Sequence, residues 1–145
     1  MSAIAQPVMT PQDIDRFLIT EFPQLHTDGR HFTTLSVGPG TATMRLDPDT
    51  RHLRPGGTIS GPAMFTLADV ACWITILAQI GPVAMVVTTN LNINFLSMPA
   101  PKPLDCSCRV LKLGKRLAVV DAILHQGDES RPVAQATGTY SIPPR

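Results

Sequence analysis

The stretch from Pro62 to Ile80, PAMFTLADVACWITILAQI, is apolar almost all the way round, broken by Thr66, Asp69, Thr75 and Gln79. Proline suits a helix start, because its missing N–H has no intrahelical partner there anyway. Gly81-Pro82 then stops the helix. A helix this apolar on every side is expected to be enclosed rather than laid on a surface. The rest of the chain must therefore wrap around it. Asp69 resists that picture, since a carboxylate among Phe65, Leu67, Val70, Trp73 and Ile74 is costly to bury without a partner or a task.

What wraps the helix follows it. Residues 83–97, 104–113, 116–126 and 132–142 are rich in strand formers, as in VVTTNLNINFL and RLAVVDAIL. The tight connections at Gly114-Lys115 and Gly127-Asp128-Glu129-Ser130 favour antiparallel neighbours. Upstream, Thr10-Pro11-Gln12-Asp13 supplies a cap, a proline at the first helical position and an acid in the first turn. The short helix it opens runs to Phe22, before Pro23. Residues 31–46 read as two strands around Gly38-Pro39-Gly40. Residues 47–60 form a loop into the central helix, and residues 1–9 a loose arm. The expected class is α+β, one domain with an antiparallel sheet wrapped around one long helix.

At 145 residues the chain is long enough to bury a core. Its net charge near +1 gives no global attraction to nucleic acid or an anionic membrane. The apolar run from Val70 to Val87 is interrupted by Thr75, Gln79 and Gly81-Pro82, which argues against a bilayer span. MSAIAQPVMT lacks the basic flank and continuous apolar region of a signal peptide. A soluble, cytoplasmic protein is expected. The three cysteines, Cys72, Cys106 and Cys108, suit reduced thiols better than a disulfide framework. Cys106 and Cys108 would share one face of a strand, as core residues. His26, His31, His52 and His125 are scattered without metal-ligand spacing. Trp73 and the six methionines line core or pocket.

The segment Arg54-Pro55-Gly56-Gly57-Thr58-Ile59-Ser60-Gly61-Pro62, with Asp69 eight residues beyond Gly61, resembles a motif of the hotdog-fold acyl-CoA thioesterases of the phenylacetate-pathway (PaaI-like) type. TTNLNINFLSMPAP, RVLKLGKRLAVVDAIL and VAQATGTYSI are similar to that family's later strands, so the likeness covers about residues 30–142. Three motif positions differ: Arg54 stands for asparagine, Ser60 for histidine and Pro62 for the second glycine. The resemblance implies a hotdog domain that hydrolyses an acyl-CoA thioester without a cofactor, coenzyme A being part of the substrate. It implies a site shared between two subunits, in a homodimer or a dimer of dimers.

Residue by residue, the likeness assigns the oxyanion donor to the Gly61 N–H at the helix start, where unpaired amides and a partial positive charge meet. Asp69 then attacks the carbonyl or takes a proton from the water that does. Thr88, on the next strand, holds a water or orients the carboxylate. Gly57 and Ser60 belong to the substrate-side loop, and Ser60 reads as a helix cap rather than a nucleophile. Lys112, Lys115 and Arg116, around Gly114, are candidates for the phosphates of coenzyme A, with Arg54 a further one. Eight residues at ~1.5 Å rise separate Gly61 from Asp69 by roughly 12 Å. Both can serve one thioester only if they come from two antiparallel helices in two chains.

Plainer readings stand beside these. Asp69 could pair with a base across an interface, the glycines could form an ordinary turn, the cations could be a solvated hairpin tip, and Thr88 an ordinary strand residue. The rival function is a non-catalytic acyl-CoA binder, motivated by Arg54 and Ser60. A hydratase on the same fold ranks last, because no paired His and acid motif is present.

Overall fold

A computed structural model describes residues 4–145 of the chain. Helix α1 spans Pro11–Glu21, β1 Phe32–Gly38 and β2 Thr41–Leu46. Helix α2 spans Gly61–Ile80, followed by β3 Val87–Phe95, β4 Leu104–Leu113, β5 Leu117–His125 and β6 Ala134–Ser141. The six strands form one antiparallel sheet in the order β1-β2-β4-β5-β6-β3. Strand β3, first after the helix, therefore crosses to the far side and pairs only with β6.

The sheet curls around α2 as the helix composition demanded. Leu67, Ala68, Ala71, Cys72, Ile74, Leu77 and Ala78 of α2 are buried. They face an inner sheet surface that includes Met44, Leu46, Leu104, Val120, Ala122, Leu124, Ala134 and Ala136. Alternate residues of β4, β5 and β6 are buried, the period-2 pattern of a sheet with one covered face. By length and composition α2 could cross a bilayer, but most of it is buried inside this sheet. Its polar residues are absorbed locally. Thr75 Oγ1 donates to Ala71 O at 2.6 Å, and Gln79 accepts from Gly40 N–H and donates to Gly38 O, clamping the β1–β2 turn.

Enclosure is incomplete, however, and this corrects the sequence expectation. Phe65 is 42% exposed, Pro62 and Thr66 are exposed, and Asp69 and Trp73 are only half-buried. Spaced by three and four residues, they form one open stripe along α2. The helix also begins one residue earlier than expected, at Gly61, because Ser60 provides the cap.

Helix α1 starts with the expected cap, a reciprocal box between Thr10 and Asp13. Asp15 accepts the Thr34 N–H at 3.0 Å and so fastens α1 to β1. Of the segment read as a loose arm, residues 1–3 lie outside the described residues. Beyond them Val8 N–H donates to Ala78 O at 2.7 Å and Met9 is buried. Cys106 and Cys108 share the inner face of β4, their sulfurs 3.7 Å apart, and all three cysteines are buried. Hydrogen bonding to Cys108, then burial, pushes the Cys72 and Cys106 thiols well above their ordinary range, which keeps them unreactive.

Candidate active site

The entry to α2 is built by a tight turn. Gly57 N–H donates to Arg54 O, Arg54 N–H donates to Thr58 O, and Gly56 and Gly57 take φ of 100° and 82°. Those angles favour glycine, and no neighbouring atom crowds either position. Gly57 thus shapes the turn, with its amide engaged there. Arg54 projects from it as an exposed cation.

Ser60 then distributes the amides of the first helical turn. Its Oγ accepts from Ala63 N–H at 3.2 Å and its carbonyl from Met64 N–H at 3.1 Å. Pro62 has no N–H. The Gly61 amide is left without a partner among the described residues, at the positive end of a twenty-residue helix. The Phe95 ring from the end of β3 lies over this point, 3.5 Å from where a Gly61 side chain would begin.

Two turns further on, Asp69 is held by the two strands beneath it. Thr88 Oγ1 donates to Asp69 Oδ1 at 2.7 Å. The Tyr140 hydroxyl lies 2.9 Å from the same oxygen and 2.9 Å from Asp69 O, so it donates within the same residue. Both donors sit on one rung of the sheet, since Thr88 pairs with Tyr140 across β3 and β6. Asp69 Oδ2 has no hydrogen-bond partner among the described residues. One carboxylate oxygen is anchored twice and the other is free.

Tyr140 is fully buried, and burial pushes its phenol far above the ordinary value, so it remains a donor. Gly138 makes room for it: a Cβ there would come within 2.7 Å of the Tyr140 ring. Sequence reasoning missed Tyr140, Gly138 and Phe95. Tyr140 carried a readable signal, being the chain's single tyrosine on the inward phase of an alternating strand.

Strand register gives the positions of the remaining expected site residues. Arg116 immediately precedes β5, where Leu117 pairs with Ser141 and Ala118 with Tyr140. The β4–β5 turn, with exposed Lys112, Lys115 and Arg116, therefore lies at the sheet end that holds Asp69, two strand spacings or ~10 Å across from β3. Gly114 N–H closes the turn on Leu117 O at 2.8 Å, and Arg116 Nε donates to Ile142 O at 3.0 Å. Within the chain, Asp69 near the middle of α2, Thr88 and the basic turn lie toward one end of the sheet. Gly61, Ser60, Gly57 and Arg54 lie at the start of α2.

A cavity of about 150 Å³ opens beside Asp69 and Thr88, walled by Val70, Trp73 and Phe22. A second, of about 320 Å³, adjoins Ser60 and Pro62 and is lined by His52 and Arg51. His52 also stacks edge-on with His31, distant in sequence, their ring centres 5.0 Å apart. Among the described residues no three His, Cys, Asp or Glu side chains converge as a metal set.

Comparison with known proteins agrees with this architecture. A Silicibacter structure described as a thioesterase is 41% identical, with a TM-score of 0.87 over 99% of this chain and 97% of that one. The phenylacetic acid degradation protein PaaI of Thermus thermophilus is alike in fold, at 20% identity and a TM-score of 0.66, over 82% and 97% of the two chains. A Pseudomonas aeruginosa protein whose name places it among the esterases is 35% identical over 66% of this chain and 70% of its own length. The thioesterase superfamily model matches residues 56–133, which run from the glycine turn through α2 to the start of β6. By this match, and by a single long helix wrapped in an antiparallel sheet, the chain belongs to the thioesterase superfamily, with the hotdog fold.

Proposed function

We propose that the chain hydrolyses acyl-CoA thioesters as a homodimer, with each site made from Asp69 in the middle of one α2 and Gly61 at the start of the other. The observation that carries this reading is the asymmetric hold on Asp69, with Oδ1 bound by Thr88 and Tyr140 and Oδ2 free. Two donors from neighbouring strands converge on one oxygen and leave the other available to a substrate or a water. Here the anchors fix the direction of the free oxygen, the preorganisation a reacting group needs.

Along the continuous α2 the rise still separates Gly61 and Asp69 by roughly 12 Å, too far for one carbonyl. Antiparallel packing of two copies through the open stripe at Phe65 and Thr66 brings each Asp69 toward Gly61 of the partner subunit. The nine-residue β3 supports this, as a free sheet edge carrying exposed Val87 and Phe95. Bare apolar edges of that length are ordinarily paired or covered. A dimer of dimers is compatible with the same protomer contacts.

In one route Asp69 Oδ2 takes a proton from water while the water oxygen attacks the thioester carbonyl. The carbonyl oxygen becomes an oxyanion and accepts from the partner's Gly61 N–H, an interaction worth ~2.7–4 kcal/mol for one donor. The C–S bond then breaks, the acid leaves, and the proton returns to the coenzyme A thiolate. In the other route Oδ2 attacks directly and the C–S bond breaks to release the coenzyme A thiolate; water then cleaves the anhydride, freeing the acid and restoring the Asp69 carboxylate, and the proton released goes to the thiolate. Lys112, Lys115 and Arg116 offer cations to the phosphates, and no cofactor takes part. A cytoplasmic setting fits such a substrate.

The test is release of free thiol from an acyl-CoA panel by wild type and Asp69→Ala. Loss of turnover in the variant with its fold retained supports the reading, and unchanged turnover overturns it. Ligand-dependent stabilisation without turnover by wild type would instead identify an acyl-CoA binder.

A further inference from the structure

Trp73 is the chain's single tryptophan and stands one helical turn beyond Asp69, on the same face of α2. It is clamped from the N-terminal side, with the Phe17 ring centre 5.7 Å away and the Phe22 ring centre 6.2 Å away. Its indole N–H is shielded from solvent and has no acceptor among the described residues. Packing alone therefore sets the ring's position, and no hydrogen bond is lost when it is replaced.

The cavity bounded by this ring measures about 150 Å³. Asp69 and Thr88 supply its polar wall. Phe22, Val70, Trp73, Val86 and Val87 make the rest apolar. The pocket is open on one side, and its volume of about 150 Å³ matches one benzene-sized guest, or about six carbons. An acyl chain whose carbonyl sits at Asp69 meets those walls first.

Resting on the reading of Asp69 as the hydrolytic acid, we propose that this cavity receives the acyl group and that Trp73, backed by Phe17 and Phe22, is the stop that limits its length. The preferred substrate is then a compact acyl-CoA with about six acyl carbons or fewer. Each methylene buried in the cavity strengthens binding by roughly fourfold until the ring is reached, and the gain then reverses. Removing the ring joins its volume to the cavity and moves the limit outward.

The experiment measures kcat/KM for straight-chain acyl-CoAs from acetyl to dodecanoyl, in wild type, Trp73→Leu and Trp73→Phe. In parallel, wild-type tryptophan emission is followed on adding non-hydrolysable S-alkyl-CoA thioethers of the same lengths, with coenzyme A alone as control. Expected are a wild-type maximum near hexanoyl, a fall of about tenfold by decanoyl, and an outward shift of about two to four carbons in Trp73→Leu. Trp73→Phe should shift the maximum less. Emission should change with thioethers up to the limit and not with coenzyme A. An undiminished rate on dodecanoyl-CoA, or an unchanged length profile in a folded Trp73→Leu, overturns the proposal while leaving hydrolysis standing. A length-limited emission change without turnover overturns hydrolysis and leaves the length stop standing. Silence in both measurements overturns both.

Discussion

Two polar clusters on this sheet look alike in composition and differ in what they can do. On the inner face, Asp69, Thr88 and Tyr140 converge. On the outer face, Ser107 lies 2.9 Å from His125 Nε2. A serine beside a histidine is the arrangement a reader seeking a hydrolase would choose first. The direction of its hydrogen bonds argues otherwise. Gly127 N–H donates to His125 Nδ1 at 3.2 Å, which makes Nε2 the protonated nitrogen, so the imidazole donates to Ser107 rather than accepting its proton. The neighbouring Asp105 is engaged by Arg45 at 2.7 and 3.1 Å. That cluster is closed on itself. Around Asp69 both donors meet one acceptor oxygen and the second is left open. The pattern of donors and acceptors, more than residue identity, separates a structural cluster from a chemical one.

The largest expected effect is at the open oxygen. Asp69→Asn keeps the shape and the Thr88 contact, and should reduce thioester turnover by about 10²–10⁴-fold, measured as thiol release. Next comes the start of α2. Gly61→Pro removes the first-turn amide of α2 that has no partner among the described residues, at a position where proline fits a helix start, and should lower kcat by about 10²–10³-fold with the fold intact by circular dichroism. A rate within twofold of wild type would mean that another donor serves the oxyanion.

Smaller still is the anchor. Tyr140→Phe frees Oδ1 from one donor, and should cost about tenfold in kcat and ~1 kcal/mol of stability in denaturant titration. The same phenol has a pH signature. Burial raises its pKa, so the folded state keeps the proton that an unfolded tyrosine loses above pH ~10. Folded chains then bind more protons than unfolded ones, and stability falls as pH rises past about 10, a slope that should be weaker in Tyr140→Phe. Smallest is Ser107→Ala. It breaks the closed cluster, and should leave turnover within about twofold while removing ~1 kcal/mol of stability. A large loss of activity there would reverse the comparison.

Much of this was legible from local pattern. The composition of residues 62–80 called for an enclosed helix, strand-forming residues and tight turns called for the strands around it, and Ser60 and Thr10 act as the caps their positions suggested. Short-range rules suffice where the partner is three or four residues away. Tyr140 escaped because its partner is 71 residues distant and is reached only through the pairing of β6 with β3. The open stripe escaped for a related reason. Hydrophobicity says that Phe65 and Trp73 want cover, and cannot say that the folded chain leaves them partly bare.

Linear order alone established an apolar helix with an acid two turns in, a glycine turn before it and strands enough to surround it, because periodicity and capping act over one or two turns of chain. Only the folded sheet settled which oxygen of Asp69 is held and which is free, and that the basic β4–β5 turn lies at the sheet end carrying Thr88 and Tyr140. Those facts depend on strand order and register, which bring residues far apart in the chain onto one rung, and no local rule carries that information.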